Sequence, residues 1–169
     1  RLKEAGFNAI RSAHHPMSRA MLDACDHIGM LVMDELTDMW DKEKNTYDFS
    51  DIFEDEYNQW INHMVEKDYN HPSVVIYSVG NEIQEAGTKQ GAWINRILCN
   101  KFHELDNTRY TTNALNGLNC AGRRLSVIMR DVAEKFGMDS HGSGSGGGSN
   151  ALNSFMSLMS GEKGEVFAK

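Results

Sequence analysis

The chain has 169 residues, 40% of them hydrophobic and 24% charged, which is enough length and an ordinary balance for one globular domain with its own core. Its formal net charge of −7 argues against a nucleic-acid partner, which needs a basic face, and no apolar run approaches a membrane span. Cys25, Cys99 and Cys120 are too scattered for a metal-type spacing or a disulfide framework and read as free thiols of a reducing compartment, which favours the cytoplasm.

The opening "RLKEAGFNAI" reads as the last turn of a helix, with Gly6 as its stop, so the sequence starts as if cut from a longer protein. "FNAIR" (Phe7 to Arg11) is a short apolar run read as a strand. "SRAMLDACDHIG" follows as a helix, with Ser18 as N-cap and Met21, Leu22, Ala24, Cys25 and Ile28 at helical spacing. Gly29 ends it, and "MLVMDE" is a second strand with an acidic tip, Asp34-Glu35. A polar loop carries Trp40, Tyr47 and Phe49. "IFEDEYNQWINHMVEKDYN" is helical, with Phe53, Tyr57, Trp60, Ile61, Met64 and Val65 on one face. "HPSVVIYSVGNE" is a third strand, "GAWINRILCNKFHELD" a third helix and "RYTTNAL" a fourth strand. Residues 1–120 are expected to form one unit and 121–169 another. The second holds a helix over "RRLSVIMRDVAEKFG", a Gly/Ser-rich stretch at 142–149 and an amphipathic helix over "ALNSFMSLMS".

Alternating strands and helices, with strands apolar on both faces, predict α/β architecture around a parallel sheet. A barrel and an open doubly wound sheet both fit. No Gly-rich dinucleotide fingerprint follows any strand, which weighs against the open sheet. Every strand ends in polar residues: Arg11 with His14 and His15, Asp34 with Glu35, Asn81 with Glu82, and Asn113 with Asn116. In a parallel barrel those tips converge on the rim that carries the active site. Arg11 either pairs with Asp34 or Glu35 beneath the rim or meets substrate. Trp40 is either a loop anchor or a platform for stacking a sugar. Glu82 follows a fully apolar strand, and a partly desolvated carboxyl there would titrate high and suit a general acid. No His, Asp or Glu spacing is diagnostic of a metal site, and no cofactor is implied.

"GFNAIRSAHHP", "DACDHIGMLVMDE" and "DYNHPSVVIYSVGNE" resemble, in that order, the catalytic barrel of glycoside hydrolase family 2, and the β-galactosidase-like branch within it. The resemblance runs from Gly6 to about Leu118. It implies a retaining (β/α)₈ barrel enzyme that cleaves the O-glycosyl bond of a β-glycoside. Glu82 matches the general acid/base and Asn81 the amide that bonds the sugar 2-hydroxyl. Arg11 matches an arginine near the nucleophile, and His14 a rim histidine. Asp34 and Glu35 match the "DE" that closes the neighbouring strand; Glu35 and, on the reading of loop and strand tips rather than the resemblance, Trp40 and Asn113 complete the expected substrate contacts. His15 departs from the pattern, standing at a position that is often aromatic. Nothing after Leu118 matches the later strand that carries the second glutamate, and retaining chemistry needs two carboxyls about 5–5.5 Å apart. The chain is therefore expected to hold barrel strands two to five, to be inactive alone and, with two sheet edges uncovered, to self-associate, recruit a partner or fold poorly. The rival expectation is a non-catalytic half-barrel that binds sugar or serves structure.

Overall fold

Among the described residues four strands and three helices alternate: β1 (Ala9–Arg11), α1 (Arg19–Ile28), β2 (Leu31–Glu35), α2 (Ser50–Asp68), β3 (Val74–Asn81), α3 (Lys89–Leu105) and β4 (Tyr110–Ala114). The computed structural model describes residues 1–117 and 120. The second unit anticipated over 121–169, with its helices and its Gly/Ser-rich stretch, lies outside them.

Local chemistry sets the element ends. The Ser18 hydroxyl accepts from the Met21 N–H and caps α1, as its sequence position foretold. Gly29 closes the helix in the left-handed region at φ 66°, a conformation glycine adopts at little cost. Only Leu22 and Cys25 of that helix are buried, whereas Met21 and Ile28, also expected inward, are exposed. An i, i+3 pair suffices for a short helix on the sheet, and the wider stripe falls at its margin. β1 is two residues shorter than the run beginning at Phe7. The Phe7 N–H is spent on the Leu2 carbonyl in the turn around Gly6, and the ladder to β2 starts only at Ala9. The α2 face is as anticipated, with Phe53, Ile61, Met64 and Val65 buried and Tyr57 and Trp60 packed at its edge. α3 starts at Lys89 because the Thr88 hydroxyl accepts from the Gly91 N–H. Gly91 must be glycine here: a Cβ would stand 2.0 Å from the Glu85 carbonyl oxygen.

The sheet is parallel throughout, in the order β1-β2-β3-β4. An open doubly wound sheet reverses strand order at a switch point; a barrel does not. Parallel strands in sequential order are the winding of a (β/α) barrel, where the right-handed crossovers usual between parallel strands put successive helices on one face. Burial on both faces was expected of every strand. It describes β3 best, whereas β1 and β4, with a neighbour on one side only, stay exposed or half-buried.

Register then splits the acidic pair at the tip of β2. Asp34 pairs with Tyr77, whose ring stacks on Phe102 of α3, so both face the helices. Glu35 pairs with Ser78 and faces the other side. Asp34 is not the Arg11 partner that the sequence left open. It accepts from Lys67 Nζ at 3.0 Å, from the Ser12 hydroxyl at 2.5 Å and from the Met17 N–H at 2.8 Å. The Ser12 hydroxyl also accepts from the Glu35 N–H, so Asp34 fastens the β1–α1 loop to the strand beneath it.

Beside it, Asp68 is fully buried, ion-paired to Lys67, with Oδ2 lacking a partner among the described residues. Burial first, then the charge of Asp34, outweigh Lys67 and push the Asp68 carboxyl up to about 7. Its folded value thus exceeds the ordinary unfolded 3.8. Between those values the folded chain binds the extra proton, so this group's stabilisation is complete below about pH 4 and is lost as pH rises to about 7. Unfolding free energy measured across that window should fall with pH in the native chain. In Asp68→Asn the slope should flatten, and an unchanged slope would remove Asp68 as its source.

Candidate active site

The C-terminal tips of β1, β2 and β3 are tied together by one buried polar network. At its centre Glu35, fully buried, receives Arg11 in a forked pair: Nε donates to Oε2 at 3.1 Å and Nη2 lies 2.9 Å from each carboxylate oxygen. The Ser78 hydroxyl donates to Oε2 at 2.7 Å, and His14 Nδ1 stands 3.4 Å from Oε1. Arg11 also donates to Asn81 Oδ1 at 2.5 Å, which joins β1 to the tip of β3. Asn81 Nδ2 in turn donates to Asp38 Oδ1 at 2.9 Å, and Lys44 Nζ meets the same oxygen at 2.6 Å and the Asn81 carbonyl at 3.0 Å. Burial raises the Asp38 carboxyl, but the bonds from Lys44 and Asn81 and the charges of Lys44 and His14 together hold it below the usual range.

Glu82 comes next. It has a positive φ of 46°, shared among the described non-glycine residues only with Tyr47. A side chain in that region costs on the order of 1–3 kcal/mol. The turn is held because the Glu82 N–H donates to the Ala114 carbonyl at 2.7 Å, which anchors the strand end against β4. Glu82 is exposed rather than partly desolvated as expected. Asn116 Nδ2 donates to its Oε1 at 3.2 Å.

Thus Arg11, His14, Glu35, Asn81 and Glu82 gather at one rim. Two residues proposed from sequence do not join them. Asn113 faces the helices, donating to Asn95 Oδ1 on α3 at 3.1 Å. Strand alternation is the reason: Asn113 lies two residues from Thr111, which points at His103 of the same helix. Asn116, past the strand end, is the one that reaches the rim. Trp40 is fully buried, its Nε1 donating to the Val79 carbonyl at 2.9 Å. No ring face is open for a sugar, so Trp40 anchors its loop.

Other members of the network were not singled out in the sequence. Ser78 had a signal, a lone hydroxyl inside an apolar strand. Asp38 and Lys44 had none, being two charges in a polar loop. That loop is shaped by Asp48, which collects the N–H groups of Lys44, Asn45 and Ser50, and by buried Glu85, which accepts from those of Asp41 and Lys42. At the opposite end of the sheet His71 Nδ1 lies 2.6 Å from Asp26, with Asp23 at 4.0 Å. Asp26 also accepts from the Ser73 N–H, so the group ties α1 to the approach of β3.

A family model for "Glycosyl hydrolases family 2, TIM barrel domain" matches residues 1–140. The chain belongs to glycosyl hydrolase family 2. Within that family it is 44% identical over 84 residues to the β-galactosidase BoGH2A of Bacteroides ovatus, covering 50% of this chain and 10% of that protein. It is 38% identical over 81 residues to a putative β-glucuronidase of Formosa agariphila, covering 48% of this chain and 8% of that one. Among solved structures, a family 2 member from Bacteroides cellulosilyticus is 42% identical with a TM-score of 0.68, over 71% of this chain and 16% of its own. The chain therefore spans about a tenth of these curated relatives and about a sixth of that structure.

Proposed function

We propose that this chain contributes the acid/base half of a retaining β-glycosidase. Glu82 protonates the departing glycosidic oxygen and then deprotonates water, while Asn81 and Arg11 hold the sugar beside it. The observation that carries this reading is the turn at the end of β3. It sets Glu82 at the tip of β3, directly after Asn81, and the acids beside it, Glu35 and Asp38, are held in ion pairs with Arg11 and Lys44. A nucleophile must meet the anomeric carbon as an available carboxylate. Glu35 is buried under the Arg11 fork, and Asp38 is locked between Lys44 and Asn81, so neither suits that part. Retaining chemistry needs a second carboxylate about 5–5.5 Å from the first, which a longer protein containing this segment would supply. The sugar itself is not assigned, since the relatives are named for galactosides and for glucuronides alike. The substrate class is a β-glycoside.

The test sets the 169-residue chain beside the full-length protein on aryl β-glycosides. The full-length protein should hydrolyse them, and the chain should stay at the level of its own Glu82→Gln variant. Turnover by the chain that Glu82→Gln abolishes would make Glu35 or Asp38 the nucleophile. No cleavage by the full-length protein would end the glycosidase reading.

A further inference from the structure

We propose that the cleft beside the rim, between the β1–α1 loop and α2, receives a planar aromatic aglycone of the β-glycoside whose sugar meets Glu82. The assignment rests on the glycosidase reading above. The cleft measures about 790 Å³ and is lined by His14 and Asp38 at the rim and by Phe49, Ile52, Trp60 and Met64 from the start and inner face of α2. That volume falls in the range of small-molecule sites, roughly 300–1,000 Å³.

Two features argue for an aromatic occupant. Phe49 is 63% exposed and Ile52 44%, although both line a concavity rather than a convex surface. Phe49 and Trp60 stand edge to face, their centroids 6.3 Å apart at 69°, an arrangement in which a third ring can join. Such walls gain by burial against the apolar faces of a flat ring, whereas a second sugar would have to draw on the polar side chains that also line the cleft, Thr37, His63 and Lys67 among them. Continuity with the rim runs through two side chains. His14 lies 3.4 Å from Glu35, and Asp38 accepts from Asn81, the residue before Glu82. A glycoside whose sugar lies over Asn81 and Glu82 would pass these groups as its aglycone turned into the cleft.

Calorimetric titration of the full chain tests this with 2-naphthyl β-galactoside, methyl β-galactoside, a β-linked disaccharide and free 2-naphthol. The naphthyl glycoside should bind roughly tenfold tighter than the methyl glycoside. Phe49→Ala and Ile52→Glu, both at exposed positions and both checked by thermal melting, should each erase that advantage and leave the methyl glycoside unchanged. A naphthyl advantage that is absent, or that survives both variants, overturns the assignment. So does a disaccharide that loses affinity by the same factor in both variants, since the cleft would then be a sugar subsite. Free 2-naphthol separates the two readings. If it binds as tightly as the naphthyl glycoside, with the same dependence on Phe49, the sugar adds nothing and the cleft is not an aglycone site, while the glycosidase reading is judged separately by the hydrolysis assay above. If the glycoside binds more tightly, both stand.

Discussion

In the full-length protein carrying this segment, Glu82→Ala should slow cleavage of β-glycosides with poor leaving groups by about 10²–10⁴-fold. Dinitrophenyl glycosides should lose far less in the bond-breaking step. An alkoxide cannot depart without a proton, whereas an activated phenolate hardly needs one. The effect is read as kcat/KM against the pKa of the leaving group, whose slope should steepen sharply in the variant. Glu82 also has structural ties, through its N–H to Ala114 and its carboxylate to Asn116. A purely structural role predicts equal losses for every leaving group. The backbone tie survives the substitution, so the variant should keep its melting temperature to within a few degrees.

Arg11→Ala should be the most destabilising change at the rim. Glu35 has no exposed side-chain surface, and Arg11 supplies its principal counter-charge. Removing the guanidinium leaves a buried carboxylate with the Ser78 hydroxyl and, 3.4 Å away, His14. Stranding a buried charge costs about 3–5 kcal/mol, and the lower end applies because the Arg11 side chain is 36% exposed. For a domain of this size that lowers the melting temperature by roughly 10 °C. Glu35→Gln added to Arg11→Ala should recover part of the loss, because the stranded charge is gone. A double variant no more stable than the single one would mean that the pair is not what holds the rim.

The strand–helix alternation was legible because apolar runs and caps are local. Ser18, Gly29 and the α2 face all stand where periodicity and capping chemistry put them. The polar tips were legible because apolar strands have no local reason to end in "DE" or "NE". What the sequence left open was which way each side chain points. Asp34 and Glu35 are neighbours with opposite fates, one turned to Lys67 among the helices and the other to Arg11 at the rim, and only strand register decides between them. Asn113 was misplaced for the same reason, one step of alternation from where it was expected. Trp40 was ambiguous because an exposed platform and a buried anchor use the same residue in the same kind of loop. Asp38 and Lys44 were invisible because their pairing depends on how Asp48 and Glu85 fold a loop of no periodicity.

The central claim is that Glu82 performs both proton transfers of a retaining glycosidase. Its most direct test is the product formed by full-length Glu82→Ala with a dinitrophenyl β-glycoside and sodium azide. Without its base, the variant should stall at the glycosyl-enzyme, because water needs deprotonation to attack. Azide needs none, so turnover should rise with azide concentration, and nuclear magnetic resonance should identify a β-glycosyl azide as the product. Unchanged turnover with only free sugar released, from a variant shown to be folded, would contradict the assignment of Glu82.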